Sequence, residues 1–211
     1  MLSMMLFYCT MLKTHKQGNP LRPIISQIPT PTYRVAKRLN QLLTPYIPTT
    51  HSLRSTEEFI DILRVSKPKG IIASLDVDSL YTNIPVERTI DIILNYAYQH
   101  RELPPPKMPR SIMRDLLLAC TTKAPFRCPE GKLYVQKDGV AMGSPLGVLF
   151  AQAFMSHIEH LAIQNQIVKP HIYCRYIDDI FVCVENETHI ERLRSSLQEL
   201  SGLNFTVEMY W

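Results

Sequence analysis

Residues 173–183 read Tyr-Cys-Arg-Tyr-Ile-Asp-Asp-Ile-Phe-Val-Cys, a β-branched and aromatic run with two carboxylates, Asp178 and Asp179, at its centre. Charged side chains are seldom buried unless they are paired or bind metal. Both flanks have strand composition, so the segment predicts a hairpin over 171–184 with the aspartates at its bend. On a regular strand the two neighbours would point to opposite faces. A tight turn relaxes that constraint and lets both serve one place. Taken alone, an Asp-Asp pair is better explained as an ordinary polar turn than as a site, because Asp favours turns.

A second stretch shifts that balance. Residues 70–77, Gly-Ile-Ile-Ala-Ser-Leu-Asp-Val, form a hydrophobic run that reads as a buried strand and carries Asp76 near its end. Asp76 alone is compatible with a helix N-cap. Two strands that each deliver acids from a buried sheet are what a pair of hard cations requires. Mg²⁺ takes carboxylates, waters and phosphate oxygens. Two such ions roughly 3.5–4 Å apart can serve the attacking and leaving oxygens of one displacement. Carboxylates gathered without a cation repel each other.

The rest of the chain supplies the frame. Strands are expected at 6–14 and 21–27, joined by His-Lys-Gln-Gly-Asn-Pro, whose Gly18-Asn19-Pro20 is a turn signal. A helix over 33–44 should stop at Pro45, and a second over 55–65 should be capped by Ser55 or Thr56 with Glu58 following. Further helices are expected at about 86–99 and 110–121, separated by the prolines at 104–106. A hairpin should span 126–136, a long apolar helix 146–165, a helix about 188–201 and a last strand 203–210. This mixture with a central sheet predicts an α+β fold.

Composition sets outer bounds. The 211 residues suffice for one large domain or two subdomains, and a net charge of +4 permits a polyanionic partner without requiring one. Sixteen prolines against seven glycines point to many fixed connections. The five cysteines (9, 120, 128, 174 and 183) form no Cys-x-x-Cys pair, which argues against a disulfide framework or zinc knuckle and for a reducing compartment. The apolar N-terminal stretch Met1–Leu12 is too short to span a bilayer and lacks signal-peptide features, so a buried strand is expected there. No membrane partner is expected.

Four motifs together resemble the reverse transcriptases of Penelope-like retroelements. Tyr176-Ile177-Asp178-Asp179 resembles their Y-x-D-D box, and Leu75-Asp-Val-Asp-Ser-Leu-Tyr-Thr-Asn-Ile-Pro85 their preceding acidic motif. Gly139-Val-Ala-Met-Gly-Ser-Pro-Leu-Gly147, followed by Ala-Gln-Ala-Phe-Met-Ser-His-Ile-Glu, resembles the loop and helix between them. Leu12-Lys-Thr-His-Lys-Gln-Gly-Asn-Pro-Leu-Arg-Pro-Ile-Ile-Ser26 resembles their fingers hairpin. The motifs stand in family order across nearly the whole chain. Departures are Cys9 and Met11-Leu12 in the first motif, and Val148 and Gln152 where the family favours Pro and Asn.

The resemblance implies a right-hand polymerase palm, an antiparallel sheet bearing the Y-x-D-D hairpin with helices on one face, and partial fingers. Residues 1–69 would be mainly fingers and 70–211 mainly palm, with helices and a hairpin intervening at 86–136. Asp76 and Asp178 would hold two Mg²⁺ ions (Mn²⁺ is an alternative), with Asp179 beside them and the backbone carbonyl of Val77 as a further ligand. Ser79 and Leu80 would offer N–H groups to the triphosphate, and Tyr81 would lie under the incoming sugar and exclude a 2′-hydroxyl. Lys13, Lys16 and Arg22 would contact nucleotide phosphate. Met142 and Gly143 would face the nascent base pair, with Ser144, Pro145 and Tyr176 near nucleic acid.

The Arg34, Lys37 and Arg38 cluster fits a template contact or a solvated helix face equally. Implied partners are an RNA template, a DNA primer and dNTPs, with nuclear residence. The chain ends inside what resembles the next family motif, so the expectation is a core without thumb or GIY-YIG endonuclease. A remnant that only binds nucleic acid or protein is the alternative.

Overall fold

The computed structural model describes residues 6–12, 21–26, 31–127, 130, 132–166 and 169–210; for 6–12, 21–26, 31, 125–127 and 133 the backbone alone is described. Lys13, Lys16, the Gly18-Asn19-Pro20 turn and Cys128 therefore lie outside the described residues, as do the side chains of Arg22 and Cys9. The elements run β1 (Leu6–Leu12), β2 (Leu21–Ser26), α1 (Pro31–Leu43), a 3₁₀ turn (Thr44–Tyr46), α2 (Thr56–Ser66), β3 (Ile71–Val77), α3 (Leu80–Asn83), α4 (Val86–Tyr98) and α5 (Arg110–Ala119). They continue as β4 (Pro125–Arg127), β5 (Leu133–Val135), α6 (Gly147–Gln164), β6 (Ile172–Tyr176), β7 (Asp179–Val184), α7 (Glu187–Ser201) and β8 (Phe205–Tyr210). The expected mixed fold with an antiparallel palm-like sheet is present. The sequence reading had no counterpart for α3.

The chain divides into two compact units, Met1–Ile47 with Tyr81–Phe150, and Pro48–Leu80 with Ala151–Trp211. The first holds a four-stranded sheet in the order β2-β1-β4-β5. β1 pairs antiparallel with β2 and parallel with β4. Pro23, which lacks an N–H, sits in β2 at the edge of this sheet, the place where a strand tolerates proline. α1 buries Ala36, Leu39 and Leu43 along one stripe and gives way to the 3₁₀ turn at Pro45. α4 packs against α5, and Arg114 of α5 pairs with Asp91 and Glu87 of α4. The proline-rich connection is tied down twice: Tyr46 donates its hydroxyl to the Pro104 carbonyl at 2.7 Å, and Tyr98 donates to that of Met108 at 2.6 Å.

The second unit is built on a wholly antiparallel sheet in the order β6-β7-β3-β8. One face carries Ala73, Leu75 and Val77 of β3, Ile180 and Val182 of β7, and Tyr173 and Arg175 of β6, all of them buried. Part of α6 covers this face through Glu159, which meets Tyr173 and Arg175. The other face carries Ile72, Ser74 and Asp76, with Asp179, Phe181 and Cys183 opposite. α2 covers its far end, where Ile62 and Leu63 pack with Ile172, Cys174 and Cys183. The near end, with Tyr176 and Asp179, is exposed.

Local signals explain the helix ends in this unit. Ser55 caps α2 by accepting from the Glu58 N–H at 3.3 Å, while the Glu58 carboxylate accepts from the Arg54 N–H at 2.7 Å. Asn186 caps α7 by accepting from the His189 N–H at 3.2 Å, and the helix ends at Gly202 in the left-handed region. Cys120, Cys174 and Cys183 are buried and form no disulfide. Among the described residues no helix is long and apolar enough to cross a membrane.

Candidate active site

The register of β3 against β7 puts Asp76 directly opposite Asp179. The Val77 N–H donates to the Asp178 carbonyl at 3.2 Å, so Val77 and Asp178 form the hydrogen-bonded pair and Asp76 and Asp179 the close, non-bonded one. Residues so paired stand about 4.5 Å apart at Cα and share a face. Two carboxylates placed this way are a cost unless positive charge comes to them. Asp76 is half-buried and Asp179 exposed. Asp178 occupies the turn itself, between Ile177 and Asp179, and is half-buried. The structure therefore brings all three aspartates to one end of one sheet, with Asp179 as the residue that faces Asp76.

The turn has an unusual backbone. Tyr176 pairs with Asp179, leaving Ile177 and Asp178 as a two-residue connection. Ile177 has φ +60°, a region a β-branched residue rarely enters and one that glycine usually fills at this place in a hairpin. Ser79, just after Asp76 and Val77, also has positive φ, +51°. Leu80 is buried, whereas Tyr176 is 52% exposed.

Behind the turn lies a group that the sequence reading missed. Arg175 is 1% exposed and Glu159 is fully buried. The Arg175 guanidinium donates to Glu159 Oε1 at 2.5 Å and Oε2 at 3.3 Å, to Gln152 Oε1 at 3.3 Å, and to the Ile177 carbonyl at 3.0 Å. Tyr173 donates its hydroxyl to Glu159 at 3.2 Å. Burial first, and Glu159 second, push the Tyr173 phenol well above its ordinary range, so it stays a donor. Gln152 also donates to the Pro48 carbonyl and accepts from Ser52, fastening the 48–53 segment to α6. The available signal was a single Asp, Glu, Lys or Arg in each of two elements, Arg175 in β6 and Glu159 in α6.

In the other unit, Tyr81 and the loop before α6 come together. The Val140 N–H donates to the Tyr81 carbonyl at 2.7 Å, and the Gly139 N–H to that of Ile84 at 3.1 Å. A Cβ added at Gly147 would lie 3.3 Å from the Tyr81 ring, so the ring rests on bare backbone at the start of α6. Ser144 accepts from the Leu146 N–H at 3.3 Å and opens the helix beside Pro145. Gly143 is exposed and Met142 half-buried. Arg34, Lys37 and Arg38 form an exposed stripe on α1, opposite its buried residues. Arg22 lies in β2, opposite Met11 of β1.

The donor set can be weighed against a metal. Among the described residues, no three or more His, Cys, Asp or Glu side chains are gathered closely enough to hold an ion by themselves. Mg²⁺ is ordinarily held by one or two carboxylates plus substrate phosphates and waters. A facing Asp76–Asp179 pair with Asp178 adjoining fits that mode.

A model of the family described as reverse transcriptase (RNA-dependent DNA polymerase) matches residues 14–209. The chain belongs to the reverse transcriptase family. Solved structures agree on the fold of this reverse transcriptase domain. It is similar to telomerase from Candida tropicalis in complex with a TWJ fragment of telomeric RNA, with a TM-score of 0.67 at 13% identity over 98% of this chain and 41% of that one. Telomerase from Candida albicans gives 0.62 at 11% identity over 98% and 43%, and the BmCPV RNA-dependent RNA polymerase 0.59 at 11% over 97% and 20%. The domain thus spans less than half the length of each. No curated protein matches the sequence.

Proposed function

We propose that this chain is the palm-and-fingers core of a Penelope-like RNA-directed DNA polymerase, adding deoxynucleotides to a primer 3′-hydroxyl along an RNA template. The observation that carries the reading is the facing of Asp76 and Asp179 at the exposed end of the sheet, with Asp178 in the adjoining turn. The motif strings around these residues and around Met142–Pro145 support the element type. In this reading Asp76, Asp178 and Asp179, with the Val77 carbonyl, hold the divalent cations the family generally uses, Mg²⁺ or Mn²⁺. When bound, a pair of such ions supplies activation of the primer hydroxyl and neutralisation of charge on the α-phosphate as pyrophosphate leaves.

The remaining roles belong to the chain's own groups. Ser79 and Leu80 offer backbone N–H groups to the triphosphate. The Tyr81 ring, close against the Gly147 backbone, excludes a 2′-hydroxyl in this reading. Lys13, Lys16 and Arg22 serve phosphate, for which Arg is the better bidentate partner. Met142 and Gly143 meet the nascent pair, and Ser144, Pro145, Tyr176 and the α1 cations meet nucleic acid, with nuclear residence following from such a role.

Primer extension on poly(rA)·oligo(dT) with Mg²⁺ checks this reading directly. The wild-type chain should extend the primer and Asp178→Ala should fall to background. Equal background from both proteins would favour a remnant that only binds nucleic acid or protein.

A further inference from the structure

We infer that Arg175 is a positioning residue. Its buried guanidinium, aimed by Glu159, holds the left-handed Ile177–Asp178 peptide and thereby sets the direction of Asp178 in the turn and of Asp179 where β7 begins. The catalytic consequence rests on the polymerase reading above; the grip itself rests on geometry alone. Three facts converge. Ile177 has φ +60°, a conformation that a β-branched residue keeps only when its surroundings impose it. Its carbonyl accepts from Arg175 at 3.0 Å. That carbonyl belongs to the peptide joining Ile177 to Asp178, so fixing its plane fixes where Asp178 starts and how Asp179 enters β7 opposite Asp76.

The guanidinium can do this because its other donors are already committed. Two of its nitrogens meet Glu159, and one of these also meets Gln152. A rigid planar fork with two edges anchored leaves the third nitrogen no choice of direction. The backbone of Arg175 is fixed as well, with its N–H donating to His51 at 2.7 Å and its carbonyl accepting from Leu53 at 2.8 Å. A lysine could pair with Glu159, yet its point charge cannot also serve Gln152 and Ile177. Gln152, a departure from the family pattern, is thus part of the support.

Two variants separate positioning from folding. Arg175→Lys keeps the buried ion pair. Arg175→Met with Glu159→Gln removes both charges together and keeps an acceptor for Tyr173, avoiding a lone buried charge. In either folded variant, amide hydrogen exchange should rise at Ile177–Ile180 while the rest of β6 and β7 stays protected. In primer extension kcat should fall by about tenfold to a hundredfold, the range for a slightly misplaced group, with the dNTP KM within about twofold. In an Ile177→Gly background, where the turn no longer needs to be forced, the Arg175→Lys loss should shrink.

Unchanged exchange at Ile177–Ile180 in a folded variant overturns the proposal, as does an undiminished loss in the glycine background. If the wild-type chain does not extend primers, the polymerase reading fails, while the exchange measurement still decides whether Arg175 grips the turn.

Discussion

Single residues carry much of the specificity of this fold, and glycines show where. At Gly139 φ is +76°, and an added Cβ would run into the backbone carbonyl of Thr82, next to Tyr81. At Gly202 φ is +74° and nothing lies within 4 Å of such an atom. Gly202→Ala therefore measures backbone strain alone, about 1 kcal/mol. Gly139→Ala adds a clash with immovable backbone, and should cost roughly 2–4 kcal/mol in urea unfolding. Equal costs would mean that the Thr82 backbone yields. The aspartates were legible because carboxylates in apolar strands demand a reason. Their pairing was not, since register depends on a turn whose Ile177 takes a conformation that no propensity predicts. Arg175 and Glu159 were visible as the lone charges of β6 and α6, but a sequence does not say which distant charge answers which.

At the scale of elements, capping decides where helices begin. Ser55 and Glu58 form a reciprocal cap at α2, with Glu58 reaching the Arg54 N–H just before it. α2 has no fully buried residue of its own, so its start depends on these bonds more than on burial. Ser55→Ala should cost about 1 kcal/mol in chemical unfolding and raise hydrogen exchange in the first turn of α2. Restoration by Ser55→Asp would tie the loss to the cap. Periodicity and caps placed most elements within a few residues because those signals are local. α3 escaped since it follows Ser79 at φ +51° and ends just before Pro85, too short to show a period. The order β2-β1-β4-β5 was likewise hidden, because a parallel β1–β4 pairing joins segments more than a hundred residues apart.

Across the whole molecule, buried weak acids make stability depend on alkaline pH. Burial pushes the Cys120 thiol up to about 11, raises those of Cys174 and Cys183, and raises the Tyr173 phenol well above its usual range. In each case the fold favours the neutral form, whereas an unfolded thiol titrates near 8.5. A raised folded pKa means that the contribution is fully present below about pH 8.5 and is lost as pH rises through the folded value. The urea unfolding free energy should therefore hold steady from about pH 7 to 8.5 and fall progressively toward pH 11. Cys120→Ala provides the comparison. It should begin less stable at pH 7, because truncating a buried side chain leaves a small void. It should then fall less steeply between pH 8.5 and 11, because one thiol no longer resists ionisation. Parallel slopes for the two proteins would show that Cys120 ionises without penalty, and that other groups set the alkaline limit.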